Sequence, residues 1–234
     1  AKSIKLTPEI KKMIGTQKQS MAPNELIQSI LKMKVDLFWN GGIGTYVKGS
    51  GESHLEVGDR ANDSLRINGA ELQAKVVGEG GNLGLTQLGR IEYAANGGRV
   101  NTDFIDNVGG VDCSDNEVNI KILLNSLVND GELTLKQRNK LLYDMTDDVS
   151  RIVLKDCYRQ TQSISITELS GVKQLKEQLR FIHGLEREGQ LNRELEFIPN
   201  DDEISDRVAT DQGFTRPELS VLIAYGKMVL KDAL

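Results

Sequence analysis

The sequence predicts an α/β fold, a partial open parallel sheet followed by an all-helical region, and three observations carry that reading. Two short β-type runs, residues 75–78 and 99–104, each lead into small, glycine-rich segments. A third apolar run, residues 35–39, ends at Asn40-Gly41-Gly42. Beyond Ser114 the glycines thin out, and apolar residues such as Val118, Ile122, Leu123 and Leu127 recur at helical spacing. Strands that end in glycine and asparagine, in alternation with helices, build the crevice in which open α/β sheets bind ligands. The expected arrangement is a Rossmann-like partial sheet over residues 1–113 and a helical region over residues 114–234.

Each element has a local reason. Thr7-Pro8-Glu9 predicts a helix start, with a hydroxyl cap and proline in the first turn. Ala22-Pro23-Asn24-Glu25 predicts a second helix, in which Leu26, Ile27, Ile30, Leu31 and Met33 keep the period. Residues 35–39 read as a strand buried on both faces. The stretch 40–53 reads as a mobile or ligand-facing loop, and a helix is expected around Ala70. Residues 86–95 predict a helix on which Leu88, Ile91, Glu92 and Ala95 share the period. Helices follow over 133–142 and 144–158 after an Asn129-Asp130-Gly131 turn, then over 169–190 and 217–234. The sequence contains no GxGxxG turn and begins on helices, so it is expected to be a piece of a longer polypeptide, cut upstream of a first nucleotide-binding strand. The last helix has no evident cap and points the same way.

Composition narrows the class. Hydrophobic residues make up 38% and charged residues 27% of the 234, an ordinary folded balance. The net charge of −5 argues against a nucleic-acid or anionic-membrane surface. No apolar run is long enough to cross a bilayer, and AKSIKLTPEIKKMIG lacks a signal peptide's apolar centre. Cys113 and Cys157 stand far apart, which fits a cytoplasmic setting and gives neither a metal site nor a disulfide framework.

Three glycine segments are the candidates for chemistry. Asn40-Gly41-Gly42-Ile43-Gly44-Thr45 follows a strand, and its backbone N–H groups suit an anion, with Thr45 adding a hydroxyl; the simpler reading is a mobile loop. Glu79-Gly80-Gly81-Asn82 lets backbone lie against a flat ligand, and Asn82 offers both donor and acceptor; the simpler reading is a turn with a left-handed asparagine. Asn107-Val108-Gly109-Gly110-Val111 leads into a helix start at which Ser114 and Glu117 form a capping-box pattern. Ser114 is there either a cap or, at a helix N-terminus, a carboxylate contact. Cys113 reads as a packed thiol and His183 as a packed residue, while His54 sits in the first glycine loop.

The strings VDLFWNGGIGTYVK, KVVGEGGNLGLTQLGRIEYAANGGRVNTDFIDN and GGVDCSDNEVNIKILL resemble the large bacterial NAD-specific glutamate dehydrogenases over most of the chain. Glu79-Gly80-Gly81-Asn82 is also similar to the EGAN turn of the compact glutamate dehydrogenases, and Asn107-Val108-Gly109-Gly110-Val111 to their NAGGV turn. The resemblance implies NAD as cofactor, with Asn40, Gly41, Gly42, Glu79, Gly80, Gly81, Asn82 and Asn107 on the nicotinamide side of its cleft. It implies Val111 beside the methylenes of L-glutamate (or 2-oxoglutarate) and Ser114 on the side-chain carboxylate. It places the catalytic lysine and aspartate upstream of this chain, since no Lys or Asp here sits in a matching motif. The remaining domains of the same polypeptide and a homo-oligomeric assembly are the implied partners. Two alternatives stay open on the residues: a non-catalytic helical interaction module, and a nicotinamide enzyme for another amino acid.

Overall fold

The computed structural model describes residues 2–234. Residues 2–103 with 164–234 form one compact unit, and residues 104–163 form a second. The chain is α/β, mostly helical, with small parallel sheets.

The first unit opens on β1 (Ile4–Lys5), which pairs antiparallel with β2 (Ser20–Met21). Between them lies α1 (Pro8–Ile14), capped as predicted: the Thr7 hydroxyl accepts from the Ile10 amide at 3.3 Å, and Pro8 fills the first position. The predicted second helix is α2 (Pro23–Leu31), with Leu31 turned into the core.

Then come β3 (Leu37–Asn40), β4 (Val47–Lys48), α3 (His54–Val57), β5 (Ile67–Asn68) and β6 (Val76–Glu79). β3 and β6 run parallel, with Asn40 opposite Glu79, so their carboxyl ends and the loops that leave them lie side by side. β4 pairs parallel with β5, and Val47 bridges to Leu85. Leu31, Val47, Ile67, Val77, Leu85, Tyr93 and Val100 make the core of this half.

Three expectations are corrected here. The strand over 35–39 is not buried on both faces: Phe38 and Asn40 face inward, but Leu37 and Trp39 are 57% and 58% exposed. The strand over 99–104 shrinks to one parallel bridge between Arg99 and Val76. Downstream of it, buried Thr102 and Asp103 lead directly into α5 (Asp103–Asp106). The helix over 86–95 exists as α4 (Gln87–Ala95), yet its buried face is Gly89, Arg90 and Tyr93 rather than Leu88, Ile91, Glu92 and Ala95. Gly89 lets the helix approach the Lys48 backbone, where a Cβ would come within 2.9 Å. The Tyr93 hydroxyl donates to the Ala74 carbonyl at 2.7 Å.

The second unit is helical, with α6 (Val108–Asn129), α7 (Leu135–Asp144) and most of α8 (Thr146–Ser170). The predicted turn before α7 is present, with Gly131 at φ 78°, and Thr134 caps α7 in a capping box with Gln137. The expected boundary between residues 113 and 114 falls inside α6.

The chain then returns to the first unit. Gly171 (φ 50°) separates α8 from α9 (Val172–Arg187), so the helix predicted over 169–190 starts after that glycine. α10 (Arg193–Glu196), α11 (Asp201–Ala209) and α12 (Arg216–Ala233) follow. α12 packs on α4, where the Gln87 amide donates to the Pro217 carbonyl at 3.3 Å. Its buried Glu218 takes a two-pronged bond from Arg207 at 2.8 Å on both oxygens. Arg216 reaches Asn101 at 2.9 Å and Glu168 at 2.7 Å, which ties the carboxyl-terminal helices to the strand layer.

Candidate functional site

The first unit carries two loops at the carboxyl ends of parallel strands, 40–45 after β3 and 80–85 after β6. They touch through backbone. The amides of Gly80 and Gly81 donate to the Asn40 carbonyl at 2.9 and 3.2 Å, and the Tyr46 amide donates to the Gly84 carbonyl at 2.8 Å. Gly81 and Gly84 are required by this closeness: a Cβ on Gly81 would lie 2.6 Å from the Gly42 carbonyl oxygen, and one on Gly84 would lie 1.8 Å from the Asn40 amide nitrogen. The Trp39 indole lies across Gly78 and Gly80.

The outer side of the paired loops and the residues beneath them differ in kind. Gly41, Gly42, Gly80 and Asn82 are exposed, and Ile43 is 91% exposed. Below them Asn40 is only 6% exposed, and its Nδ2 finds no hydrogen-bond acceptor among the described residues. A buried, unsatisfied amide donor costs roughly 1–3 kcal/mol.

Glu79 is fully buried and faces inward. Its carboxylate takes Arg90 Nε at 2.6 Å and Nη2 at 2.9 Å, and the Leu85 amide at 3.1 Å. Burial pushes the Glu79 carboxyl up from its ordinary range, and the Arg90 bonds pull it back. The side chain therefore shapes the loop from beneath, and the residue as a whole is buried. The left-handed residue of the loop is Leu83 (φ 57°), not Asn82 as the simpler reading of this turn required.

The first glycine loop is anchored rather than mobile at its far end. The Thr45 amide donates to Asp59 at 2.8 Å, and its hydroxyl, expected to face an anion, donates to the Leu83 carbonyl at 2.7 Å. The Asn62 amide group and the Thr45 N–H hold the Asp59 carboxyl below its usual range. His54 opens α3 and sits 2.8 Å from Arg66, itself bonded to Asp63 at 2.7 Å.

In the second unit, the segment read as a glycine turn is helix. Asn107 is the N-cap residue of α6 without a capping side-chain bond, and residues 108–111 form the first turn. Ser114 stands exposed in the second turn, so it does not cap the helix, and Val111 is exposed at 60%. The helix starts nine residues before Glu117, at Val108, because Val108-Gly109-Gly110-Val111 takes helical backbone; Gly109 there faces Cys157 and Val153 of α8 at ordinary contact distance. Cys113, expected packed, is exposed. In the first unit His183 is likewise exposed, 3.0 Å from Asp201, which also takes Arg193 at 2.7 Å.

Sequence reading missed Arg90, Asp103 and Asp59. The signal for Arg90 was its place one residue after a helical glycine and three before a tyrosine, on the face that buries. No helix among the described residues is long and apolar enough to cross a membrane.

The first unit is thus of the α/β class that places glycine loops at the carboxyl ends of parallel strands. Residues 1–167 match the family described as bacterial NAD-glutamate dehydrogenase, catalytic domain. The chain is 61% identical over all its 234 residues to the NAD-specific glutamate dehydrogenase of Halomonas elongata, and 57% identical over the same length to that of Pseudomonas aeruginosa. It is 45% identical to that of Mycobacterium tuberculosis over 99% of its length. The chain belongs to the bacterial NAD-glutamate dehydrogenase family. It spans about 14% of the length of the first two relatives and 15% of the third.

Proposed function

We propose that this chain serves as part of an NAD-dependent glutamate dehydrogenase, which converts L-glutamate, NAD and water to 2-oxoglutarate, ammonium and NADH. The observation that carries the reading is the buried, acceptor-less amide of Asn40 between two glycine loops at parallel strand ends. In this reading the first unit holds NAD by Asn40, Gly41, Gly42, Gly80, Gly81 and Asn82, with Glu79 shaping the loop from beneath. Bound NAD supplies the hydride acceptor.

In the second unit, Asn107 is assigned to the nicotinamide end, Val111 to the glutamate methylenes and Ser114 to the side-chain carboxylate. The exposure of Val111 and Ser114 on neighbouring turns of α6 supports those assignments. Residues 1–113 supply the distal part of a Rossmann-like dinucleotide domain, and 114–234 the helical region. The reading further places the protein in the cytoplasm as a homo-oligomer, partnered by the other domains of the same polypeptide, with no role for nucleic acid or membrane.

The test is kinetic. In the full-length protein, Asn40→Ala is expected to raise the KM for NAD about tenfold, the loss of one good hydrogen bond. Ser114→Ala is expected to raise the KM for glutamate by the equivalent of about 1.5–3 kcal/mol, since the bond is to a charged oxygen. An unaltered NAD KM in the first variant ends the cofactor assignment, and an unaltered glutamate KM in the second ends that of Ser114. The 234-residue chain alone is expected to form no NADH from glutamate, because it has no lysine or aspartate in a catalytic motif.

A further inference from the structure

The 80–85 loop is held from beneath by a charged cluster that the sequence did not announce. Arg90 projects from the buried face of α4 between two carboxylates, Glu79 at 2.6 Å and Asp103 at 3.3 Å. Each carboxylate also holds the loop directly. Glu79 accepts from the Leu85 amide at 3.1 Å, and Asp103 accepts from the Leu83 amide at 2.7 Å. All three charged side chains are buried.

Two features of the loop need such a hold. Leu83 sits at φ 57°, a region that costs a non-glycine residue free energy and persists only when surroundings fix it. Asn82, immediately before it, is exposed. The Leu83 carbonyl is fixed too, by the Thr45 hydroxyl at 2.7 Å, so the residue is gripped at both ends of its backbone unit.

We propose that Asp103 is a positioning residue for cofactor binding: together with Arg90 and Glu79 it locks Leu83 in the left-handed conformation that presents Asn82 and the loop backbone to the dinucleotide. This rests on the reading of the 80–85 loop as part of the NAD seat. In this proposal Asp103 acts through the loop rather than by contact with substrate or cofactor. Arg90 sets the carboxylate's direction, because its second carboxylate partner is anchored at the end of β6.

The test uses the full-length protein, with NAD affinity measured by calorimetry, steady-state kinetics, and hydrogen exchange at the Leu83 amide. Asp103→Ala removes both the acceptor and the charge. It is expected to weaken NAD about tenfold or more, leave the glutamate KM within about twofold, and speed exchange at Leu83. Asp103→Asn keeps an oxygen for the amide but loses the charge facing Arg90, so it should fall between, about two- to fivefold weaker for NAD. An Asp103→Ala protein that binds NAD as the parent does, or loses glutamate and NAD affinity in equal measure, overturns the proposal. So does faster Leu83 exchange with unchanged NAD affinity, which would leave a purely structural role. If the alanine variant does not fold, the asparagine variant decides: unchanged NAD affinity there overturns the proposal. Asn82→Ala separates this inference from the reading beneath it. Weaker NAD in Asn82→Ala with none in Asp103→Ala defeats the inference alone, whereas no change in either defeats the cofactor seat itself.

Discussion

Two glycine segments that look alike in the sequence, 79–82 and 107–111, are built in opposite ways. The first sits at the end of a parallel strand, leads into a loop hydrogen-bonded to its neighbour, and is held by a buried cluster of charge. The second is the opening turn of a 22-residue helix. In the first region the glycines answer to crowding, with Gly81 and Gly84 pressed against the other loop and its asparagine. In the second they answer to little: among the described residues, outside its chain neighbours and its own helix backbone, no atom lies within 4 Å of a Cβ placed on Gly110. A glycine pair announces permissive backbone and nothing more. What precedes it, a hydrogen-bonded strand or a free helix start, decides what that freedom is used for.

That contrast can be broken or sharpened by substitution in the 234-residue chain. The largest effect is expected at Arg90. Arg90→Ala removes the arginine that faces the buried Glu79 carboxylate and should cost about 3–5 kcal/mol, read as a fall in the urea midpoint. The exposed Arg151–Asp148 pair of the second unit is the control, since Arg151→Ala should cost no more than about 1 kcal/mol. Equal losses at the two sites would erase the difference between buried clamp and surface pair.

Next comes Gly84→Ala, which drives a Cβ into the Asn40 amide and should destabilise by about 1–3 kcal/mol. Gly110→Ala should do the reverse and stabilise by about 0.4–1 kcal/mol, because helical backbone suits alanine and the space is open. Destabilisation at Gly110 would argue for the turn that the sequence suggested.

The smallest effect concerns acid. The Asp59 carboxyl is held below its ordinary range by the Asn62 amide and the Thr45 N–H. A carboxyl whose folded pKa is depressed contributes stability above its unfolded value, about 3.9, and that contribution is lost as pH falls through the folded value. Asp59→Ala should therefore shrink the difference in urea midpoint between pH 6 and pH 3. An undiminished difference would show that Asp59 does not anchor the first loop.

Much of this was legible in the residues. Thr7-Pro8, Ala22-Pro23 and the Asn129-Asp130-Gly131 turn ended or began elements where their chemistry required. The apolar run before Asn40 did become a strand tip. The helix α4 was legible but its buried face was not, because Leu88 and Ile91 keep a helical period as well as Gly89, Arg90 and Tyr93 do. An arginine joins the buried face only when a carboxylate waits there, and Glu79 lies on a different element. Cys113 was expected packed because no base stands near it in sequence, and His183 for its apolar neighbours, yet both are exposed on their helices.

The sequence by itself determined the family, the α/β class and the strand-to-glycine junctions, because those depend on residues adjacent in the chain. Only the tertiary structure decided that Asn40 keeps a buried amide without an acceptor, that Leu83 rather than Asn82 takes the left-handed turn, and that Arg90 joins Glu79 to Asp103. These depend on charges and backbone brought together from separate elements, and the strength of such contacts comes from burial, which no local pattern records.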